Sequence, residues 1–179
     1  MSKIAVLDLE TTGFAPDKDF IVEVGIVEIN LYDGSIQVLY DELVKEDGLS
    51  EMHANSWIFK NSDLPFNKVM QAPPLDKDAI QKILNQYPVT AYNKAFDFKF
   101  LRARGIQYSE LDCPMLLATD ICKLPGRFGK YKWPTVEEAW QHFFADQEYK
   151  ELHRGADDAA HEAKIIHQLY KMGVFKLVD

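Results

Sequence analysis

The pattern of apolar and polar residues predicts that the chain begins with three strands. Residues 3–9 are mostly apolar and β-branched, as in a buried strand, and residues 20–31 alternate well enough for a second strand. The Asp33-Gly34 pair is typical of a hairpin turn, so residues 35–44 are expected to return as a third strand, antiparallel to the second. Residues 45–74 follow no regular pattern and are expected to be rich in loops.

The rest of the chain alternates helical and extended patterns. Helices are predicted over residues 76–86, 95–104, from Leu116 to about Lys123, after Thr135 with Glu138 completing a capping box, and over 156–172. Short strands are expected over residues 88–92 and 112–116. A hairpin followed by alternating helices and strands predicts an α/β fold with a mixed five-stranded sheet and flanking helices.

Composition narrows the class of protein. With 179 residues, 47% of them hydrophobic and 27% charged, residues 1–179 are expected to form a single globular domain.

The first apolar run is too short to span a bilayer and no secretion signal precedes it, so we expect no membrane contact. Cys113 and Cys122 form neither a disulfide framework nor a metal-binding spacing, which favours a reducing, cytoplasmic location. A net charge of −8 argues against a broad basic surface for nucleic acid.

Two acidic residues close the first strand. Asp8 and Glu10 are two positions apart in a strand, so their side chains project from the same face. Adjacent carboxylates repel each other and are costly to bury. A divalent cation with oxygen ligands is the usual solution. The spacing therefore predicts a metal site at the end of this strand.

Two later segments carry matching chemistry. Asp97 comes four residues after Asn93, and His153 comes five residues before Asp158. On a helical wheel Asp158 falls at the edge of the apolar arc of the last helix, whereas Asp157 points to water. Asp158 is therefore the expected ligand of the pair. Taken singly, each of these acids and the histidine can also be explained without a metal, as an acid at a helix terminus or an exposed loop residue.

These three segments, in this order, resemble the motifs of the DnaQ-like (DEDDh) 3′–5′ exonucleases, the family of the proofreading epsilon subunit of bacterial DNA polymerase and of related exoribonucleases. The resemblance implies a ribonuclease H-like fold and two divalent cations, Mg²⁺ or Mn²⁺. It implies that Asp8 contacts both cations, that Glu10 and Asp158 hold one, and that Asp97 supports the other. His153 is then the general base for the attacking water. Carboxylate ligands suit magnesium, and the sequence lacks a Cys or His cluster that would favour zinc.

The resemblance also implies contacts with the terminal nucleotide. The candidate substrate-binding residues are Leu9, Thr11, Thr12, Phe14 and Asn93. Thr11 and Thr12 are expected to offer backbone N–H groups, and Phe14 a surface for the base. Core packing is the alternative for Phe14, and it is the favoured interpretation for Phe96. Glu23 is expected to be structural.

A basic segment, residues 122–134, is a second candidate surface. Its possible strand contacts are Lys123, Arg127, Lys130, Tyr131 and Lys132. Cations for phosphates and aromatic faces for bases are what a single strand requires. The alternative is a solvated glycine-rich loop anchored by Trp133.

We expect a metal-dependent 3′–5′ exonuclease that releases nucleoside 5′-monophosphates from single-stranded ends, with DNA favoured over RNA. An exoribonuclease of the same family is the near alternative, and a non-catalytic subunit that binds a polymerase or another replication or repair protein is the distant one. A Val-His-Gly-Ile-Thr-like segment of many relatives has only a poor counterpart here, around His53. DNA or RNA preference, pathway, processivity and oligomeric state are not decided by these residues.

Overall fold

Three long strands and one short strand form the central sheet of the computed structural model, which describes residues 2–177. The strands are β1 (Lys3–Thr11), β2 (Ile21–Asn30), β3 (Ile36–Leu43) and β4 (Val89–Thr90). Their order in the sheet is β3-β2-β1-β4. The first three strands pair antiparallel and β4 runs parallel to β1, so the sheet is mixed as predicted.

The helices pack on both faces of this sheet. They are α1 (Trp57–Asn61), α2 (Phe66–Val69), α3 (Lys77–Leu84), α4 (Lys94–Ala103), α5 (Pro114–Cys122), α6 (Val136–Phe143) and α7 (Gly155–Lys171), with 3₁₀ turns at Glu51–His53 and Arg127–Gly129. Between residues 2 and 177, none of these helices is long and apolar enough to cross a membrane.

The predicted hairpin between β2 and β3 is confirmed. The Asn30 N–H donates to the Ser35 carbonyl at 2.9 Å, which closes the turn. Gly34 has φ = +76°, a left-handed conformation that glycine adopts without steric cost. Asp33 accepts hydrogen bonds from the backbone and hydroxyl of Ser35, as turn aspartates commonly do.

The prediction of five strands is wrong, because the sheet has four strands between residues 2 and 177. The fifth strand was expected over residues 112–116. The pairing found near this segment is a single bridge just before it, between Glu110 and Val89 of β4. Two backbone hydrogen bonds of Val89 accompany this bridge. Pro114 then starts α5, and proline, which lacks an N–H group, suits the first turn of a helix and ends strand pairing.

The remaining helix predictions agree with the structure to within a few residues. The capping box before α6 is confirmed: the Glu138 N–H donates to the Thr135 hydroxyl at 3.2 Å, and the Thr135 N–H donates back to the Glu138 carboxylate at 2.9 Å. The loop-rich stretch at 45–74 contains α1 and α2, which have five and four residues. Helices this short leave little periodic signal in a sequence.

Alternation along β1 divides the interior into two apolar clusters, one on each face of the sheet. Ile4 and Val6 pack against α6 and α7, whereas Ala5, Leu7 and Leu9 pack against α3 and α4. Even-numbered residues of β1 therefore face α7. Asp8 and Glu10 continue this row beyond its apolar part, on the side of the sheet that carries the last helix.

Candidate active site

A pocket of about 190 Å³ opens where β1 and β4 end. It is lined by Asp8, Leu9, Glu10, Tyr92, Asn93, Phe96, Asp97, Val136, Glu151, His153 and Glu162. The carboxyl ends of parallel strands meet at the same edge of a sheet, so the residues that end β1 and follow β4 lie side by side. Segments far apart in the chain thus converge on one small cavity.

Two glycines allow α7 to approach this edge closely. Gly25 of β2 lies opposite Asp8, and a side chain at Gly25 would overlap the backbone of Gly155 and Ala156. A Cβ atom on Gly155 would in turn lie 2.6 Å from the backbone nitrogen of Gly25. The first turns of α7, which carry Asp158, are therefore held against the strands that carry the other acids.

An ion pair also holds the start of α7 on the sheet. Glu23 of β2 is 1% exposed and accepts hydrogen bonds from the Arg154 guanidinium at 2.9–3.1 Å. The Gly155 N–H donates to the same carboxylate at 3.1 Å. Because Glu23 has a full set of partners, its place in the molecule is structural, in keeping with the role expected from the sequence.

Asp158 points into the packed face of α7, whereas Asp157 is exposed, in agreement with the helical wheel. The Asp158 carboxylate accepts hydrogen bonds from the Tyr149 hydroxyl at 2.7 Å, the Leu152 N–H at 3.3 Å and the Arg154 N–H at 2.7 Å. These donors fix the orientation of the carboxylate.

Asp97 reaches the same pocket from the opposite face of the sheet. It lies in the first turn of α4, and its Oδ1 accepts a hydrogen bond from the Leu9 N–H at 3.1 Å. Burial raises the pKa of Asp97 to about 7, although the hydrogen bond from Leu9 acts in the opposite direction.

The remaining acids of the pocket form a buried group of like charges. Burial, followed by repulsion from Glu10 and other carboxylates, raises the pKa of Asp8 well above its ordinary value. Burial, followed by repulsion from Asp158, also raises the pKa of Glu10 well above its ordinary value. Burial, followed by repulsion from Asp97, does so for the pKa of Glu162. Such a group is unfavourable without positive charge.

One carboxylate oxygen in this group of acids has no hydrogen-bond partner among the described residues. Asp8 Oδ2 is buried and has no hydrogen-bond partner among residues 2–177. Glu10, His153 and Asp158 each offer one ligand atom, and these atoms lie within 4.8 Å of one another. An unpartnered carboxylate oxygen beside other carboxylates fits a hard divalent cation, which prefers oxygen ligands. The residues present therefore fit the cations implied by the motifs.

His153 lies at the entrance to the pocket, in the loop before α7. It has φ = +55°, an uncommon conformation for a residue with a side chain. The Trp57 ring packs edge-on against the imidazole, with ring centres 4.8 Å apart. Glu151 Oε1 lies 3.9 Å from His153 Nδ1. Burial, followed by repulsion from the carboxylates of Asp158 and Glu137, raises the pKa of Glu151 to about 7.

Comparison with known proteins agrees with this geometry. Residues 5–166 match the RNase_T family model, which is described as an exonuclease. The chain belongs to this exonuclease family. The prediction of a DnaQ-like exonuclease is thereby confirmed, and the five motif residues Asp8, Glu10, Asp97, His153 and Asp158 lie around one pocket edge.

Individual relatives add detail. An exonuclease of Escherichia phage 186, called uncharacterized exonuclease CP81, is 30% identical over 182 residues, which cover 93% of this chain and 88% of the phage protein. The PolC-type DNA polymerase III of Thermotoga petrophila is 25% identical, and the match covers 97% of this chain but only 12% of the polymerase. The chain thus spans a small part of that relative.

A solved structure confirms the fold. The nuclease domain of 3′hExo, a DEDDh family member bound to rAMP, superposes with a TM-score of 0.69 at 16% identity, over 99% of this chain and 96% of that domain. At this identity the similarity shows the predicted ribonuclease H-like fold and not a shared substrate.

In this exonuclease only some of the residues predicted to contact the terminal nucleotide are free to do so. Leu9 and Asn93 line the pocket, and Phe14 is 80% exposed, with its ring 5.9 Å from that of Phe96. Phe96 forms part of the pocket wall and is not simply core. Thr12 differs from expectation, because its N–H already donates to the Phe20 carbonyl at 2.9 Å.

The Thr11 hydroxyl donates to the Gly13 carbonyl, which helps to shape the turn that presents Phe14. His53 does not line the pocket. Its imidazole hydrogen-bonds within its own turn, to Ser50, and packs edge-on against Phe20. Trp57, four residues later, is the residue of this segment that reaches His153.

The basic segment forms a short hairpin-like loop beside the pocket. Gly126 and Lys130 share a backbone hydrogen bond, and Arg127 and Lys130 are exposed. The loop leads directly into Val136, which lines the pocket. Lys132 differs from its neighbours because it forms an ion pair with Glu138, an acid that lies outside the segment in sequence.

The sequence reasoning missed six residues in or around the pocket: Tyr92, Val136, Glu151 and Glu162, which line it, and Trp57 and Tyr149, which lie beside it. Glu162 is 4% exposed and accepts a hydrogen bond from the Tyr92 N–H at 3.2 Å. It follows Asp158 by four residues, so helical spacing alone would have placed both on one face. Glu151 and Tyr149 lie in a loop, and Trp57 starts the five-residue helix α1, which is too short for its periodicity to indicate direction.

Proposed function

We propose that this exonuclease removes nucleotides from the 3′ ends of single-stranded nucleic acid, releases nucleoside 5′-monophosphates, and requires two divalent cations, Mg²⁺ or Mn²⁺. Residues 1–179 act as a single exonuclease domain. The observation that carries the proposal is the unpartnered Asp8 Oδ2, buried in a pocket that other carboxylates and His153 surround.

Asp8, Glu10, Asp97 and Asp158 would hold the cations. Divalent ions at such a site lower the pKa of water and offset the charge that develops on a phosphodiester during hydrolysis. The protein supplies fixed ligands: Asp158 and Asp97 are oriented by backbone N–H groups, and Asp8 and Glu10 by the rigid strand β1. Preorganised ligands of this kind need little rearrangement during the reaction.

His153 would accept a proton from the attacking water. Histidine is the side chain used most often for proton transfer in catalysis at near-neutral pH. The Glu151 carboxylate near Nδ1 favours a proton on that nitrogen, which leaves Nε2 as the acceptor. Trp57 restricts the imidazole from the other side.

The strand would approach along an aromatic and basic path. Phe14 is exposed on one side of the pocket and Trp57, 58% exposed, lies beside His153. Exposed aromatic rings stack on bases irrespective of sequence. Beyond the pocket, Arg127 and Lys130 would contact phosphates of the same strand.

DNA is the favoured substrate, because a segment of a DNA polymerase matches almost the whole of this chain. A structural neighbour bound to rAMP gives RNA as the second candidate. The match to a polymerase also suggests a polymerase as a protein partner, since the matched segment of that relative is part of such an enzyme.

Digestion of 5′-labelled DNA and RNA single strands of the same sequence, with Mn²⁺, tests this function. We expect a ladder of products shortened stepwise from the 3′ end, absent with Asp8→Asn, and mononucleotides carrying a 5′-phosphate. The relative rates on the two strands give the preference. Internal cuts, or shortening from the 5′ end of 3′-labelled strands, would contradict the proposal.

Lowering the pH through neutrality is expected to weaken cation binding. Burial raises the pKa of Asp97 to about 7, and burial with nearby carboxylates raises the pKa of Asp8 and Glu10. Cations bind the deprotonated carboxylates, so below these pKa values they must displace protons. Each displaced proton costs about tenfold in apparent affinity per pH unit.

Thermal unfolding with increasing Mn²⁺ at pH 6, 7 and 8 measures this effect. The Mn²⁺ concentration that gives a set rise in unfolding temperature should increase as the pH falls, and unfolding without metal at each pH provides the baseline. A concentration that stays constant across this range would show that the buried acids do not bind the cation.

Replacing Arg127 and Lys130 together with alanine is expected to weaken single-strand binding. In an Asp8→Asn background, which prevents digestion, the slope of log affinity against log salt should fall by about 0.7 for each phosphate that the loop no longer binds. Hydrolysis of a small p-nitrophenyl phosphodiester by the otherwise intact enzyme should not change.

The double variant Lys77→Ala and Lys82→Ala removes two exposed charges of α3 and serves as the matched control. If both double variants bind a labelled oligonucleotide equally well, the loop is only a solvated connection. Lys132 is left unchanged because its loss would also release Glu138.

A further inference from the structure

Tyr149 joins an aromatic cluster to the metal-binding edge of the pocket. It lies in the loop between α6 and α7, and its hydroxyl donates to Asp158 Oδ1 at 2.7 Å. Its ring stacks on His161, with centres 4.2 Å apart and an angle of 23° between the planes. Trp140, 3% exposed, packs against both rings.

This cluster fixes the tyrosine ring from several directions. Trp140 Nε1 donates to the Gln147 carbonyl at 3.0 Å, which holds the loop near the start of the segment that carries Tyr149. His161 is one turn beyond Asp157 on α7, and its Nδ1 lies 2.8 Å from the Asp157 carbonyl. The hydroxyl is thus aimed at Asp158 by groups on two helices.

The three donors to the Asp158 carboxylate come from the same loop. The Tyr149 hydroxyl and the Leu152 N–H share Oδ1, and the Arg154 N–H donates to Oδ2. His153 lies between the last two donors in sequence. The loop that carries the proposed general base is therefore closed onto a proposed metal ligand.

A neutral donor has a specific advantage at this position. Asp158 is 1% exposed and contributes to the repulsion that raises the pKa of Glu10. A hydroxyl donor stabilises the charged carboxylate without competing with a cation, as a lysine or arginine would.

We propose that Tyr149 is a positioning residue, whose hydroxyl orients Asp158 for cation binding and ties the His153 loop to that carboxylate. The proposal rests on the proposed metal site. Groups that orient a metal ligand typically contribute about 10–100-fold to metal affinity or activity.

Tyr149→Phe tests the hydroxyl alone, because the ring and its packing remain. Thermal unfolding is followed with increasing Mn²⁺ in the absence of nucleic acid, and nuclease activity is titrated with Mn²⁺ in parallel. We expect the Mn²⁺ concentration that gives a set rise in unfolding temperature, and the half-activating concentration, each to rise about 10–100-fold. At saturating Mn²⁺, kcat should recover most of its value. Tyr170→Phe, which removes a hydroxyl near the end of α7, is the control and should match the wild type.

Asp8→Asn separates failure of this proposal from failure of the metal site. If Asp8→Asn retains the full Mn²⁺ stabilisation, the cation binds elsewhere and both proposals are overturned. If Asp8→Asn loses the stabilisation but Tyr149→Phe binds Mn²⁺ as tightly as the wild type, only the role of Tyr149 is overturned. A lower unfolding temperature of Tyr149→Phe with unchanged Mn²⁺ affinity would likewise show a purely structural residue.

Discussion

Asp8→Asn is expected to abolish nuclease activity and, at the same time, to stabilise the metal-free protein. Asp8 is the proposed ligand of both cations, so the loss of activity should exceed the roughly 10–100-fold typical of residues that only orient a ligand. The amide also gives the unpartnered Oδ2 position a donor among neighbouring carboxylates. Removing a buried unsatisfied group is worth about 1–3 kcal/mol.

The size of this stability effect depends on pH. The pKa of Asp8 is raised well above its ordinary value of 3.8 in the folded protein. The folded state therefore binds the Asp8 proton more tightly than the unfolded state, and this contribution is lost as the pH rises through the raised pKa. The raised pKa of Asp8 therefore makes the metal-free fold less stable at pH 8 than at low pH, so the gain from Asp8→Asn should be largest at pH 8 and absent near pH 3.

Thermal unfolding in EDTA measures the effect, at about 2–4 °C per kcal/mol for a chain of this size. Asp157→Asn is the matched control, because Asp157 neighbours Asp158 on the exposed side of α7. It should leave activity and stability close to those of the wild type. An Asp8→Asn protein that is less stable than the wild type in EDTA at pH 8 would show that Asp8 has a structural partner instead.

Gly25→Ala is expected to displace the start of α7 and to impair the site from a distance. The added methyl group would overlap the backbone of Gly155 and Ala156, which cannot move aside as a flexible side chain could. Overpacking of this kind costs about 1–3 kcal/mol, occasionally more. Because Asp158 and the donors to its carboxylate move with this part of α7, Mn²⁺ affinity should fall together with stability.

Ile29→Val provides a control that is also destabilising, by about 0.5–1.5 kcal/mol; Ile29 lies on the same strand, is buried and does not line the pocket. Unfolding in urea gives the stability of each variant, and Mn²⁺ titration gives its metal affinity. We expect only Gly25→Ala to lose metal affinity. Equal affinities in the two variants would mean that the close approach of Gly25 to Gly155 does not place Asp158.

Local signals were sufficient where structure depends on neighbouring residues. The alternation of β1, the Asp33-Gly34 turn and the Thr135 cap each act within a few positions, and the structure contains all of them. Asp158 was distinguished from Asp157 because one helical turn determines which of them faces the sheet.

The features that sequence reasoning missed depend on contacts between distant segments. The fifth strand failed because pairing at Glu110 ends where Pro114 starts a helix. The ion pair of Lys132 with Glu138 depends on how the loop folds back onto α6. The approach of Gly25 to Gly155 joins residues 130 positions apart in the chain, and no local pattern encodes it.

The candidate site shows the same division. Five residues were found by motif, because their chemical types and spacing are unusual in combination. Glu162 could have been found from its four-residue spacing to Asp158. Trp57 starts the five-residue helix α1 and Tyr149 lies in a loop, so both could be found only from the fold. Site residues on regular elements are thus more predictable than those on loops.

Anomalous scattering from crystals soaked in Mn²⁺ tests the central claim most directly. We predict two manganese peaks between the carboxylates of Asp8, Glu10, Asp97 and Asp158, both missing from Asp8→Asn crystals. A map with no peak within coordination distance of Asp8, or with peaks that remain in Asp8→Asn crystals, would contradict the account.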